Sequence, residues 1–489
     1  MNNQPKETLY EPVIGLECHI QLLTKSKMYS ADSTSFGDPP NTHISEITLG
    51  YPGTLPKINK KAVEYAIRLG IAVNAHIHTF NGFARKNYFY PDLPKGYQIT
   101  QDKTPICTGG TISFRLKNGE KKEVRLIRIH MEEDAGKNIH DINPFESLVD
   151  FNRAGTPLLE IVSEADIRSG EEAYYYLQEI RKLVRYLEIC DGNMEEGSLR
   201  CDVNISLRKK NDTSFGAKVE IKNLNSFRNV QRAIDYEIQR QKEQLRKGEP
   251  VISETRSFDA MKGITFSLRS KEMANDYRYF PEPDLPPILI QQEQIENIKK
   301  QLPPLPHVLF EKYTKEYGLP EYDASVITED KHFALWFNNL CQLTKNYKAA
   351  ANWLTVIIKG YLNEQAITIH EFPLKPTHIA QIIEWIEHGK ISHSAAAQKL
   401  FPALLKTPEK SIEDLCKELD LFKNTNKNDL LSMVESVLEK YPEKVQEYKA
   451  GKKGLLGLFI GEVMKISKGK ADPKLVDQIV RKQLENYEL

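Results

Sequence analysis

The chain has 489 residues, with 67 Lys+Arg against 67 Asp+Glu, so its formal net charge is zero. That balance excludes a global basic field that would bind nucleic acid indiscriminately, but leaves room for a local patch. Hydrophobic residues make up 40% and charged residues 27%, the makeup of a globular protein of about three domains. No apolar run approaches the ~18 residues of a membrane span, and the opening MNNQPKETLYEP lacks the apolar stretch of a secretory signal. The six cysteines form no Cys-x-x-Cys pair. This points away from a disulfide framework or a cysteine zinc site, and towards a reducing cytoplasm.

The first ~290 residues read mostly as strands with a few helices. In VIGLECHIQLL, Ile14, Leu16, Cys18, Ile20 and Leu22 alternate onto one face. Glu17, His19 and Gln21 fall on the other, where a carboxylate beside an imidazole suits a hard metal or acid–base work, or simply a solvated face. A helix is predicted over about 60–75. ARKNYFYPDLPKGYQI then interleaves Arg85, Lys86 and Lys95 with aromatic residues, as does NDYRYFPEPDLPP later; such strings suit phosphates and stacked bases, or aromatic packing over a core. RIHMEEDAGK carries His130, Glu132, Glu133 and Asp134, a cluster that repels itself unless a cation is near or it is a solvated turn. PLLEIVS places Glu160 in an apolar run, where a buried carboxylate needs a cation, a donor or a proton.

A helix over about 170–188 follows, with Ser169 and Glu172 at capping-box spacing. EGSLRCDVNISLR and AKVEIKN read as a hairpin. Its first strand puts Arg200, Asp202 and Asn204 in one row, a set able to form a binding floor, and its second adds Lys218, Glu220 and Lys222. A third helix runs from Asn225 or Ser226 to about Lys247 and stops at Gly248. There is neither a Walker A loop nor a G-x-G-x-x-G. Seven prolines between 281 and 306 mark a domain boundary. Beyond it the pattern is helical, with starts at Thr377, Ser411 and Asp472. In the tail, Gly454, Gly457 and Gly461 share roughly one helix face among lysines, and residues 441–489 hold ten Lys/Arg against seven Asp/Glu. Glycine there costs ~1 kcal/mol each against alanine, so either another helix or an RNA backbone comes close.

The strings VIGLECH, YPGTLP, RKNYFYPDLPKGYQI, MEEDAGK, SLVDFNRAGTPLLEIVSE, MEEGSLRCDVN, VEIKNLNSF and DYRYFPEPDLPP closely resemble the B-subunit family of aspartyl/glutamyl-tRNA amidotransferases, the GatB family, in the same order from about residue 9 to the C-terminus. The resemblance implies an α+β fold. A cradle domain on an antiparallel β-sheet with flanking helices (1–292) would precede an all-α helical domain (293–408) and an all-α, YqeY-like tail that binds tRNA (409–489). It implies a cytoplasmic ligase that forms a heterotrimer with an amidase (the A-type partner) and a small C-type partner, and has no DNA or membrane partner. ATP and Mg2+ would serve to phosphorylate the side-chain carboxylate of Glu-tRNA(Gln) or Asp-tRNA(Asn), which ammonia from the amidase then converts to the amide.

Carried onto this chain, the family's magnesium ligands and catalytic residues fall on Glu17, His19, Glu133 and Glu160. Lys86, Arg200 and Lys222 are candidates for the ATP phosphates. Lys452, Lys453, Gly454, Gly457, Gly461, Lys465, Lys468 and Lys470 are the candidates for tRNA contact, electrostatic and shape-based. Many relatives carry a cysteine zinc knuckle after the first strand. Here Ser30, Asp32, Ser45 and Thr48 stand at those positions, poor zinc ligands, so the loop is expected to be held by packing without zinc.

Overall fold

The computed structural model describes residues 10–140, 142, 145–270, 276–423, 427–467 and 470–487. Two compact units emerge, Met1–Pro306 and His307–Leu489.

The first unit is organised on β1 (Tyr10–Gln21), whose alternating apolar residues Ile14, Leu16, Cys18 and Ile20 are all fully buried. In chain order follow α1 (Lys60–Ala72), β2 (Ala84–Asn87), β3 (Tyr97–Thr100), β4 (Lys121–Glu133), β5 (Pro157–Ser163), α2 (Gly170–Tyr186), β6 (Leu199–Lys209), β7 (Val219–Leu224), α3 (Phe227–Arg246), β8 (Glu254–Asp259), β9 (Ile264–Ser270), β10 (Phe280–Pro281) and α4 (Gln292–Gln301). The strands form one path in the order β9-β8-β7-β6-β1-β5-β4-β3-β2-β10. All neighbours are antiparallel except β7 and β8. That parallel pair departs from the expected antiparallel sheet because α3 carries the chain back between them, the crossover that parallel strands require.

Helix starts follow their caps. Ser169 accepts from the Glu172 amide at 3.1 Å, and Ser226 from the Asn229 amide at 3.2 Å. The apolar stripes of α2 and α3 then cover the core face of the sheet: Tyr176, Leu177, Ile180 and Val230, Ile234 join Cys18, Ile161 and Val203 in one cluster.

The first compact unit runs on through the proline-rich segment to Pro306. Leu285, Ile290 and Ile295 are buried in the first core, so the proline-rich segment and α4 pack onto it before the chain leaves.

The second unit is helical. Its α5 (Lys331–Leu343) and α6 (Pro376–Glu387) pack through buried Phe337 and Ile379, Ile382 and Ile383. The start of α6 is Lys375 with Pro376 in the first turn, not Thr377: proline at that position needs no amide hydrogen. Next comes α7 (Ile412–Glu418), capped by Ser411 as expected. The tail has its own core, in which Leu430 and Val434 of α8 (Lys427–Lys440) meet Phe459 of α9 (Leu456–Ile466) and Val480 of α10 (Pro473–Asn486). Asp472 caps α10, accepting from the Lys474 amide at 2.9 Å.

Candidate active site

Residues directly opposite each other in an antiparallel pair share a face. The register sets Arg200 opposite His19, His19 opposite Glu160, and Glu160 opposite His130. A row Arg200–His19–Glu160–His130 therefore crosses β6, β1, β5 and β4 on the face turned away from the α2–α3 core. One row along lies Glu132, opposite Leu158, which is itself opposite Gln21.

The side chains converge. His19 Nε2 is 3.2 Å from Glu160 Oε2 and 3.8 Å from Glu132 Oε1. His130 Nε2 is 3.3 Å from Glu160 Oε2 and 3.6 Å from Glu132 Oε2. Thr100 Oγ1 donates to Glu132 Oε2 at 3.3 Å. Ligand atoms of His19, Glu132 and Glu160 lie within 4.8 Å of one another, the spacing of a shared metal. Two carboxylates and an imidazole suit a hard divalent cation.

Burial disfavours ionised Glu160, but hydrogen bonds from His130 and His19 outweigh it and hold its carboxyl well below the usual range. Burial likewise lowers the pKa of His130; Glu132 and Glu160 reverse that and carry it up to about 9. For His19 the same opposition leaves its pKa above the ordinary imidazole value.

Glu133 departs from the expected ligand set. It is one residue beyond Glu132, so the pleat turns it to the opposite face, where Oε1 accepts from Lys95 Nζ and, at 3.0 Å, from the Ile99 amide. There it lines a cavity of about 210 Å³ with Lys27, Tyr29, Lys95 and Arg85. Glu17 shares the face of His19 but stands one row away, and its Oε1 accepts from Asn204 Nδ2 at 2.6 Å. Among the described residues it is not part of the three-ligand cluster.

Arg200 is placed beside His19, yet its Nη2 pairs with Asp134 Oδ2 at 2.9 Å, which also accepts from Gln21 at 2.7 Å. Lys222 continues the same face but is held by Asp202 at 2.6 Å and Glu220 at 3.0 Å. Lys86 lies opposite Gln98, at the far edge, with its ammonium 4.8 Å from the Tyr277 ring and 5.9 Å from Tyr88. Sequence reading missed Glu132 and His130 as members of the cluster. Buried Ile129 and Met131 carry the signal, because their alternation assigns 130 and 132 to the other face.

The loop after β1 does bring Ser30, Asp32, Ser45 and Thr48 together. Asp32 Oδ2 accepts from Ser30 Oγ (3.0 Å), Ser45 Oγ (2.8 Å), the Ser45 amide (3.0 Å) and Thr48 Oγ1 (2.5 Å). Hydrogen bonds to one carboxylate oxygen tie this loop, where packing alone was expected.

In the tail, a Cβ added at Gly454, Gly457 or Gly461 meets nothing within 4 Å. Close helix packing inside the chain therefore does not explain them. Lys452 pairs with Glu447 at 3.1 Å, Lys465 with Glu462 at 3.9 Å and Lys470 with Asp420, while Lys453 sits 4.3 Å over the Tyr448 ring. Lys468 lies outside the described residues.

Residues 12–296 match the family model of the GatB/GatE catalytic domain, and residues 335–484 that of the GatB domain. The chain belongs to the GatB family. Relatives named as the B subunits of aspartyl/glutamyl-tRNA(Asn/Gln) amidotransferases include those of Thermodesulfovibrio yellowstonii and Persephonella marina, each 49% identical over 97% of this chain and 99% of their own length. That of Gloeothece citriformis is 47% identical over 98% and 99%. The GatB/GatE catalytic match covers the His19–Glu132–Glu160 cluster and all of the sheet except the first two residues of β1. Among the described residues no helix is long and apolar enough to cross a membrane.

Proposed function

We propose that this chain is the component of a tRNA-dependent amidotransferase that activates the acceptor carboxylate. It acts on Glu-tRNA(Gln), Asp-tRNA(Asn) or both, in the cytoplasm, with an amidase partner and a small third partner. The observation that carries this is the His19–Glu132–Glu160 cluster on the open face of a sheet that belongs to the GatB family.

A side-chain oxygen of the aminoacyl group attacks the γ-phosphorus of ATP, and ADP leaves. Ammonia then attacks the acyl carbon, and phosphate leaves with that oxygen. His19, Glu132 and Glu160 would hold Mg2+, which supplies charge neutralisation for the anionic reactants. Lys86, presented by two tyrosine rings at the edge of the same face, offers a further positive charge to phosphate oxygens. Arg200 and Lys222, engaged with Asp134 and Asp202, keep the acidic side chains beside the site from repelling the incoming phosphates. Glu17 orients Asn204 next to the cluster. The glycine face of α9 and its lysines dock the tRNA by charge and shape, and the Asp32 knot stands in for a zinc site. The tail from about residue 409 serves as a tRNA-binding domain beyond the helical domain and the cradle.

The test is tRNA-dependent ATP hydrolysis by the chain assembled with its amidase partners. Glu160→Gln keeps the shape of the side chain and removes its charge, and should abolish hydrolysis while glutaminase activity persists. Hydrolysis at the wild-type rate in this variant would remove the cluster from the reaction.

A further inference from the structure

His130 stands directly opposite Glu160, yet among the described residues it lies outside the three-ligand group. It is only 3% exposed. Its backbone is pinned on both sides. Ile129 and Met131 are fully buried on the opposite face, and Gln101 Oε1 accepts from the Met131 amide at 3.0 Å. A side chain on so fixed a strand can hold another group to a definite place.

The ring has one working edge. Nδ1 is buried with no hydrogen-bond partner. Nε2 instead meets both carboxylates, 3.3 Å from Glu160 Oε2 and 3.6 Å from Glu132 Oε2.

The two oxygens of Glu132 face different neighbours. Oε1 is turned to His19, 3.8 Å from its Nε2. Oε2 is turned to His130 and also accepts from Thr100 Oγ1 at 3.3 Å, Thr100 being the residue directly opposite Glu132 on β3. With one oxygen engaged by two groups of the chain, the carboxylate has a single oxygen to offer a cation. On Glu160, His130 approaches the same Oε2 that lies 3.2 Å from His19 Nε2, so one ring sets the spacing of both carboxylates.

We infer that His130, together with Thr100, is a positioning residue that holds Glu132 to one-oxygen coordination and thereby selects Mg2+ against Ca2+. Mg2+ demands a small, nearly ideal octahedral shell, which chelation by both oxygens of one carboxylate distorts. Ca2+ gathers about six to eight oxygens in a flexible shell and readily takes both oxygens of a carboxylate. Groups behind the ligands decide how the ligands are presented, and their loss is felt in metal affinity. This rests on the proposed use of Mg2+ at the His19–Glu132–Glu160 cluster and adds to it the choice of cation.

The experiment reads cation affinity on the full-length chain without substrates. Mg2+ and Ca2+ are each titrated in to displace Mn2+, with free Mn2+ followed by electron paramagnetic resonance. Wild type should bind Mg2+ more tightly than Ca2+. His130→Leu fills similar space without a donor. It should weaken Mg2+ by about tenfold or more while Ca2+ stays within about threefold of its wild-type value. His130→Gln places an amide donor where Nε2 lies, and should bring both constants back to within about threefold of wild type. Thr100→Val removes only the second donor and should shift the Mg2+:Ca2+ ratio the same way, by about threefold. A histidine with a merely structural role would cost both cations alike in His130→Leu; that result overturns the inference, as does a wild-type preference for Ca2+. If His130→Leu does not fold, Thr100→Val decides, and an unmoved ratio there overturns the inference. Failure of both Mn2+ and Mg2+ to bind wild type overturns the Mg2+ reading as well. If Mg2+ binds wild type and Glu160→Gln weakens it, but neither His130→Leu nor Thr100→Val moves the ratio, the Mg2+ reading stands and only this inference falls.

Discussion

A single position along β4 separates Glu132 from Glu133 and decides which carboxylate faces the cluster. Glu132 has the parity of His130, Glu133 that of Ile129 and Met131. Glu132→Gln should therefore weaken Mn2+ or Mg2+ binding by about tenfold or more, the usual scale for disturbing a metal ligand set, while Glu133→Gln should leave it within about twofold. Calorimetry of the two variants decides between them, and a loss in Glu133→Gln with Glu132→Gln unchanged would restore the ligand set expected from sequence.

Lys27 shows how charge is managed on the other face. Its side chain is 1% exposed, and its Nζ donates to the His43 carbonyl at 2.5 Å and the Phe151 carbonyl at 3.3 Å. Burial pushes its pKa down from 10.5 to about 8 despite Asp32 and Glu133 nearby. Below pH 8 both folded and unfolded states hold the proton, and the cost of burial is present in full. Between about 8 and 10.5 the unfolded state binds more protons, so stability rises with pH. The full span corresponds to at most about 3.4 kcal/mol. Urea unfolding of the first unit, compared with Lys27→Met across that window, should show the wild type gaining on the variant. A difference that stays flat with pH would mean that Lys27 holds its proton equally well folded and unfolded, as a solvated ammonium does.

At the scale of elements, alternation made β1 legible: apolar residues on one face left Glu17, His19 and Gln21 on the other, and the sheet buries the apolar face as read. Glu160 was legible for the same reason, as a lone carboxylate in an apolar run. The rows that cross strands were not legible, because pairing Arg200 with His19 and His130 with Glu160 requires knowing which strands are neighbours. For the adjacent Glu132 and Glu133 the clue lay in the alternation of Ile129 and Met131, which the run of three acidic residues at the strand end obscures. Neither was the parallel pair β7–β8 visible, since the segments around α3 look like any two strands.

The glycines of α9 make a sharper test at this scale. A side chain at Gly457 points into open space, so Gly457→Leu should not disturb the tail core. By helix propensity it should stabilise the tail, by up to about 1 kcal/mol. If the bare face is where RNA approaches, the same variant should bind tRNA more weakly even as its melting temperature holds or rises. Undiminished binding would assign the glycines another task.

At the scale of the molecule, a net charge of zero is reconciled with a tRNA substrate by concentrating chemistry locally. The cluster and the aromatic-held Lys86 share one sheet face within Met1–Pro306. The boundary after Pro306 means the first unit closes its core without the helices beyond, since Ile295 completes it. A fragment of residues 1–306 should fold cooperatively and keep the ATP affinity of the full chain to within about threefold, with binding energy confined to its own face. An unfolded fragment would show that the second unit is needed for the first.

The central claim is that the carboxylate of the aminoacyl group becomes the acceptor of a phosphoryl group. The oxygen that attacks phosphorus must then leave with phosphate when ammonia displaces it. The measurement is made on Glu-tRNA(Gln) labelled with 18O in its side-chain carboxylate, incubated with ATP, glutamine and the assembled enzyme. One labelled oxygen per Gln-tRNA formed should appear in inorganic phosphate, and none with the Glu160→Gln enzyme. Amidation with unlabelled phosphate would contradict the account, because the carboxylate would then never have been phosphorylated.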